Sequence, residues 1–133
     1  MLKLKPKIII DISNIAGHYN ESPPKMKNIH IMYDTLKYKY WIIGIADWKL
    51  YDCIDCIESY KYYLKRRIIV EAPPGIIADI LIIMMAKIND CLILTNDKLR
   101  DHEDLIPSKS WLKNRRITFN IIKGEFQTHL PNK

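Results

Sequence analysis

The run Lys7-Ile8-Ile9-Ile10 goes straight into Asp11 and constrains the fold more than any other part of the chain. A short strand that is apolar on both faces has no side to offer water, so it belongs inside a parallel sheet covered by helices. The rest of the chain supplies the partners. Ile29, Met32, Tyr33 and Leu36 recur at helical spacing, and Trp41 to Ala46 predicts a second strand that again stops at an aspartate, Asp47. Leu50, Cys53, Ile54, Ile57, Tyr60 and Leu64 predict one helix with a single buried face. Ile68 to Val70 reads as a third strand. The segment from Ile76 to Ile88 reads as a helix apolar around most of its circumference, and so expected to be central. Cys91 to Thr95 and Ile117 to Ile122 complete the strands, and the last residues, with Pro131, read as a tail. Strands alternating with helices predict an α/β fold with a mostly parallel sheet, in one domain over residues 1–133.

A chain of 133 residues buries enough surface to fold without a staple. Its net charge of +6 favours polyanionic partners, of which nucleic acid is the commonest. The three cysteines, Cys53, Cys56 and Cys91, form no even disulfide set. Cys53-x-x-Cys56 lacks the second pair or the histidines of a zinc site. No secretory apolar segment precedes the first strand, and the longest apolar run, Ile80 to Ala86, is too short to cross a bilayer. The expectation is a soluble, cytoplasmic protein with no membrane partner.

The acids fall where a ligand is expected. Parallel sheets bind ligands beyond the carboxyl ends of their strands, where the topology switches direction. Asp11 and Asp97 follow the first and fourth strands, and Asp79 opens the helix that leads into the fourth. Asp101 stands four residues after Asp97, so a helical turn there would put both on one face. Crowded carboxylates repel unless a cation lies among them, and oxygen donors suit Mg²⁺ or Mn²⁺. An acidic pocket on a basic protein matches the needs of a nuclease.

Asp11-Ile12-Ser13-Asn14, placed after a strand, resembles the D-x-S/G-N signature of PIN-like nucleases, in particular their NYN and Zc3h12a-like branch. Ala78-Asp79-Ile80-Leu81, with Leu94-Thr95-Asn96-Asp97-Lys98-Leu99-Arg100-Asp101, resembles the second half of that branch's pattern; Trp111 and Phe126 to Pro131 are similar more loosely. The resemblance implies a three-layer α/β/α PIN-like fold with a five-stranded sheet of order 3-2-1-4-5, and endoribonuclease activity with Mg²⁺ or Mn²⁺. Carried over by position, Asp11, Asp79, Asp97 and Asp101 hold the metal and Asn14 orients the cluster, with Ser13 and Asn96 assisting. Several relatives carry two adjacent acids where this chain has Ala78-Asp79, which favours one metal over two. Dimers are common among PIN-like domains, so the oligomeric state is left open, with a homodimer as one candidate.

Each residue also has an ordinary structural role. Asp11, Asp47 and Asp97 are natural helix or turn caps, and Asp79 suits a helix dipole; Asp47 therefore ranks below the other acids. His102, Glu103 and Asp104 read as solvated surface, as do Lys65-Arg66-Arg67. Tyr38, Tyr40, Trp41, Tyr60, Tyr62 and Tyr63 read mostly as core rather than base-stacking platforms. The expected RNA contacts are Arg100, Lys109, Trp111, Lys113, Arg115 and Arg116. Lys25 and Lys27 join them from the loop that also carries His18 and is expected to overhang Asp11. The alternatives are a non-catalytic RNA-binding module, the toxin of a toxin–antitoxin pair with an antitoxin-like partner, and an assembly subunit without RNA.

Overall fold

In a computed structural model describing residues 4–130, strand β1 (Lys7–Asp11) lies at the centre of a six-stranded sheet of order β3-β2-β1-β4-β5-β6. Its neighbours β2 (Trp41–Ala46), β3 (Ile69–Glu71), β4 (Leu92–Leu94) and β5 (Arg116–Ile122) all run parallel, giving the expected order 3-2-1-4-5. The sixth strand, β6 (Glu125–His129), runs antiparallel to β5 and occupies what the sequence suggested was tail. Pro131 lies outside the described residues.

Ile8, Ile9 and Ile10 are fully buried, and their alternation explains the layers. Ile8 and Ile10 point into a core shared with α1 (Ile12–Ala16), α2 (Met26–Leu36), α3 (Leu50–Cys53) and α4 (Ile57–Lys65). Ile9 points the other way, into a core with α5 (Ala78–Asn89) and with Trp111 and Leu112 of α6 (Lys109–Arg115). The result is an α/β/α sandwich. Each isoleucine so buried contributes about 2 kcal/mol of transfer free energy.

Three departures from the sequence reading have physical causes. The helix expected over Leu50 to Leu64 is split, because Ile54 turns to extended backbone (φ −60°, ψ 140°) and α4 starts afresh at Ile57. The break frees Asp55 to accept the Met26 N–H at 2.8 Å, so it caps α2 from a distance. Helix α5 is not central. Ala78, Ile82, Ile83 and Ala86 are buried, while Ile77, just before the helix, Met84 and Ile88 are exposed on its outer side, since a single helical layer covers that face. The β5–β6 turn has positive φ at both Lys123 (52°) and Gly124 (77°), as a two-residue hairpin requires. Lys123-Gly124 ahead of the alternating Glu125-Phe126-Gln127-Thr128 was the available signal. Among these aromatic residues, Tyr60 and Tyr63 are core, whereas Tyr38, Trp41 and Tyr62 are exposed. No described helix is long and apolar enough to cross a membrane.

Candidate active site

The chain leaves β1 outward to β2 and β3, then returns across the sheet to β4, so a crevice opens at the carboxyl ends of β1 and β4. Ile10 pairs with Leu94, which sets Asp11 beside Thr95. The Thr95 hydroxyl donates to Asp11 Oδ2 at 2.8 Å, and the Asn14 N–H donates to Oδ1 at 3.3 Å, so Asp11 is also the N-cap of α1. Asp11 is 5% exposed. Burial raises its pKa to about 6; the Thr95 and Asn14 hydrogen bonds oppose this, and the charges of Asp79 and Asp97 add to it.

The Ser13 and Asn14 side chains fasten the neighbouring strand ends. Ser13 Oγ accepts the Asp47 N–H at 2.9 Å, pinning the turn after β2. Asn14 Oδ1 accepts the Asn96 N–H at 2.8 Å, pinning the turn after β4. Asn96 then bonds β5 both ways, donating from Nδ2 to Phe119 O (3.0 Å) and accepting from Phe119 N (2.8 Å).

Thr95, fully buried, stands inside the sequence motif but carries no expected role there, because a threonine at the end of a strand is ordinary. Its hydroxyl serves both halves of the site, accepting the Asp97 N–H at 3.1 Å while donating to Asp11. Asp97 is exposed, and its Oδ1 accepts the Leu99 N–H at 2.8 Å. Asp79, in the first turn of α5, is raised above the usual carboxylate range, first by burial and then by Asp97. His102 acts in the opposite direction, and Asp47 and Asp101 add smaller upward pushes. The expected helical turn between Asp97 and Asp101 does not form. Leu99 adopts left-handed backbone (φ 57°), a 3-10 segment begins at Arg100, and Asp101 is exposed.

His102 corrects the sequence reading of a solvated 102–104 surface. Its side chain is only 14% exposed, with Nε2 3.6 Å from Asp79 Oδ2. The spacing of 23 residues between Asp79 and His102 left no local signal. His18 also differs from its expected place: it is buried, tilted against Phe119, and its Nε2 accepts the Ile121 N–H at 3.4 Å. The loop carrying it is thereby anchored on β5.

Among the described residues, no three His, Cys, Asp or Glu side chains close to metal-coordinating distance. The carboxylates nevertheless act on one another electrostatically, and an all-oxygen set of mutually repelling acids is the donor chemistry a hard divalent cation requires. Of the basic residues, Arg100, Lys109, Lys113 and Arg116 line one cleft beside Asp97. Arg115 turns elsewhere, over the half-buried Trp111 and paired with Asp90. Lys25 precedes α2 and Lys27 lies exposed in its first turn.

Two solved structures of a plant enzyme share this architecture. The nuclear proteinaceous RNase P 2 (PRORP2) from A. thaliana superposes with a TM-score of 0.78 at 18% identity, over 96% of this chain and 30% of that one. A second structure of PRORP2 gives a TM-score of 0.73, with the same identity and coverage. The chain thus spans under a third of the length of these neighbours, and at this identity they bear on the fold alone. No curated protein sequence matches the chain. The sequence profile of the Zc3h12a-like ribonuclease NYN domain matches residues 4–133, almost the whole chain, and on that match the protein belongs to this ribonuclease family.

Proposed function

We propose that residues 1–133 act as one nuclease domain that hydrolyses RNA phosphodiester bonds internally, with Mg²⁺ or Mn²⁺ held by Asp11, Asp79, Asp97 and, at the edge, Asp101. The observation that carries this reading is the electrostatics of the crevice. In a chain of net charge +6, Asp79 and Asp97 both push the buried Asp11 upward, and Asp97 does the same to Asp79. Such an arrangement is unfavourable alone and becomes favourable when a cation joins it. Bound there, the ion would neutralise phosphate charge and acidify a water.

The protein's own groups set the stage. Thr95 and the Asn14 amide hold Asp11 in one rotamer facing the crevice. Ser13 and Asn14 hold the β2 and β4 turns in register with it. Asp11, with a pKa near 6, is mostly ionised at neutral pH and can serve as a ligand. His102, against Asp79, supplies a partner that steadies that carboxylate. In the hydrolysis a water oxygen bonds to phosphorus and its proton passes to solvent or to a carboxylate, while the P–O bond to a ribose oxygen breaks and that oxygen, keeping the electron pair, takes a proton from solvent to leave as a hydroxyl.

The test is cleavage of a labelled structured RNA with Mn²⁺ or Mg²⁺. Cutting should vanish in EDTA and fall at least 100-fold, on the order expected for a lost metal ligand, in Asp11→Asn. Unchanged cutting by that variant would overturn the assignment.

Ala78 supports a second reading, a binding module that has lost turnover. It is 5% exposed and packed in the α5 core. Replacing it by an acid would bury a charge at a cost of several kcal/mol unless a cation met it. Under this reading RNA binds in EDTA and is never cut. A homodimer and an antitoxin-like protein partner are assemblies to test by light scattering and by co-purification; growth arrest on expression would support the toxin reading.

A further inference from the structure

Beside Asp97 opens a cleft of about 670 Å³ between the 3-10 segment Arg100–Leu105 and helix α6. Its cations are Lys98, Arg100, Lys109, Lys113 and Arg116, against a single acid, Glu103. Leu99, Ile106 and Leu112 also line it; Leu99 is buried beneath it, and the half-buried Ile106 and Leu112 give it apolar surface. A plain phosphate track needs cations but no apolar walls, and its charges can lie on a flat surface. A concave site with both is built for something flat and apolar that carries anionic charge alongside.

Two features tie the cleft to the acidic crevice. Leu99 is 1% exposed in left-handed backbone, a conformation that is an outlier for a bulky residue. The Asp97 carboxylate holds it there by accepting its N–H at 2.8 Å. Arg116, on the opposite wall, donates from Nη1 to Thr95 O at 3.2 Å, and to Asp97 O at 3.5 Å. The wall of the cleft and the turn bearing the acids are therefore one hydrogen-bonded unit, and whatever occupies the cleft lies next to the crevice.

We propose that this cleft takes one unstacked nucleotide of single-stranded RNA, with its base against the half-buried Ile106 and Leu112 and its flanking phosphates on the lysines and arginines. The proposal deepens the nuclease reading and rests on it for the location of the cut. It assigns the substrate class: a strand in which the nucleotide beside the scissile phosphate is free to leave its stack. A continuous duplex keeps its bases paired and could present only phosphates.

Fluorescence anisotropy with the wild-type protein in EDTA tests this directly. The probes are a labelled single-stranded RNA octamer, the same octamer with abasic residues throughout, and a blunt RNA duplex. The intact single strand should bind several-fold more tightly than either of the others. Ile106→Ala should reproduce most of the abasic loss while leaving the salt dependence unchanged. Lys109→Ala with Lys113→Ala should weaken binding about tenfold and reduce the slope of log K against log salt by about 1.4, the counterion release of two phosphate contacts. Equal affinity for the intact and abasic strands, or for the duplex, would overturn the proposal in favour of a plain phosphate track. Cutting plays no part in this readout. Base-dependent binding by a protein that never cleaves would uphold the cleft and overturn the nuclease reading; cleavage with base-indifferent binding would do the reverse.

Discussion

Asp11 stands under opposed influences that a change of pH can separate. Its carboxyl has a pKa of about 6 in the folded protein against 3.8 when free, so between these values the folded state binds more protons than the unfolded chain. The sign follows from linkage: stability of the metal-free protein falls as pH rises from about 4 to about 6 and is level above that. The two-unit shift corresponds to roughly 3 kcal/mol. Urea titrations of wild type and Asp11→Asn across that window should differ by a curve of this shape, the variant gaining on the wild type as pH rises. At pH 7.5, millimolar Mn²⁺ should raise the wild-type midpoint and leave the variant's unchanged, since a ligand stabilises only a state that binds it. A flat difference curve would show that burial of Asp11 carries no such penalty.

At the level of single elements, β2 fits closely against both α1 and the residue before β3. A Cβ added to Gly44 would lie 2.8 Å from the backbone oxygen of Ile68 and 2.9 Å from two side-chain atoms of Ile12. Ile12 begins α1, so Gly44→Ala would press on the helix that carries Ser13 and Asn14. The expected cost is about 2 kcal/mol or more, visible as a lower denaturation midpoint, with RNA cleavage falling alongside because α1 has moved. A neutral Gly44→Ala would mean that β2 and α1 can separate freely. The split between α3 and α4 shows long-range contact from the other side: in the break that interrupts fifteen residues of helical periodicity, Asp55 accepts the Met26 N–H and donates its own N–H to Pro24 O.

Across the whole molecule, charge is divided between an acidic crevice at the sheet switch point and a basic cleft next to it. Under the proposed function, the cations would draw RNA in and the acids would receive one of its phosphates. How much of this was legible depended on whether the signal was local. The central strand and the aspartates at strand ends follow from runs and spacings that neighbours in sequence create, whereas the order of the sheet came from the family resemblance of the two aspartate motifs. Thr95, the placement of His102 against Asp79, and the anchoring of His18 on β5 arise from contacts across 84, 23 and 103 residues, which no window on the sequence spans. The α5 surface misled for another reason. Ile77, Met84 and Ile88 carry the periodicity of a buried face without a neighbour to bury it, and composition alone cannot tell which apolar stripe will be covered.

Asn96 carries one more consequence. The backbone ladder between β4 and β5 ends with the Thr95 N–H on Ile117 O, and the Asn96 side chain then takes the place of the next peptide by pairing with Phe119. The Phe119 amide, fourth in β5, thus reports, by the rate at which it trades its proton for deuterium, how often the aspartate-bearing turn lets go. Slow exchange at Phe119 that quickens by one to two orders of magnitude in Asn96→Ala, as losing a bond worth about 1–3 kcal/mol would dictate, would time the opening of the site from within the sheet. An unchanged rate would mean that the turn and the strand breathe independently.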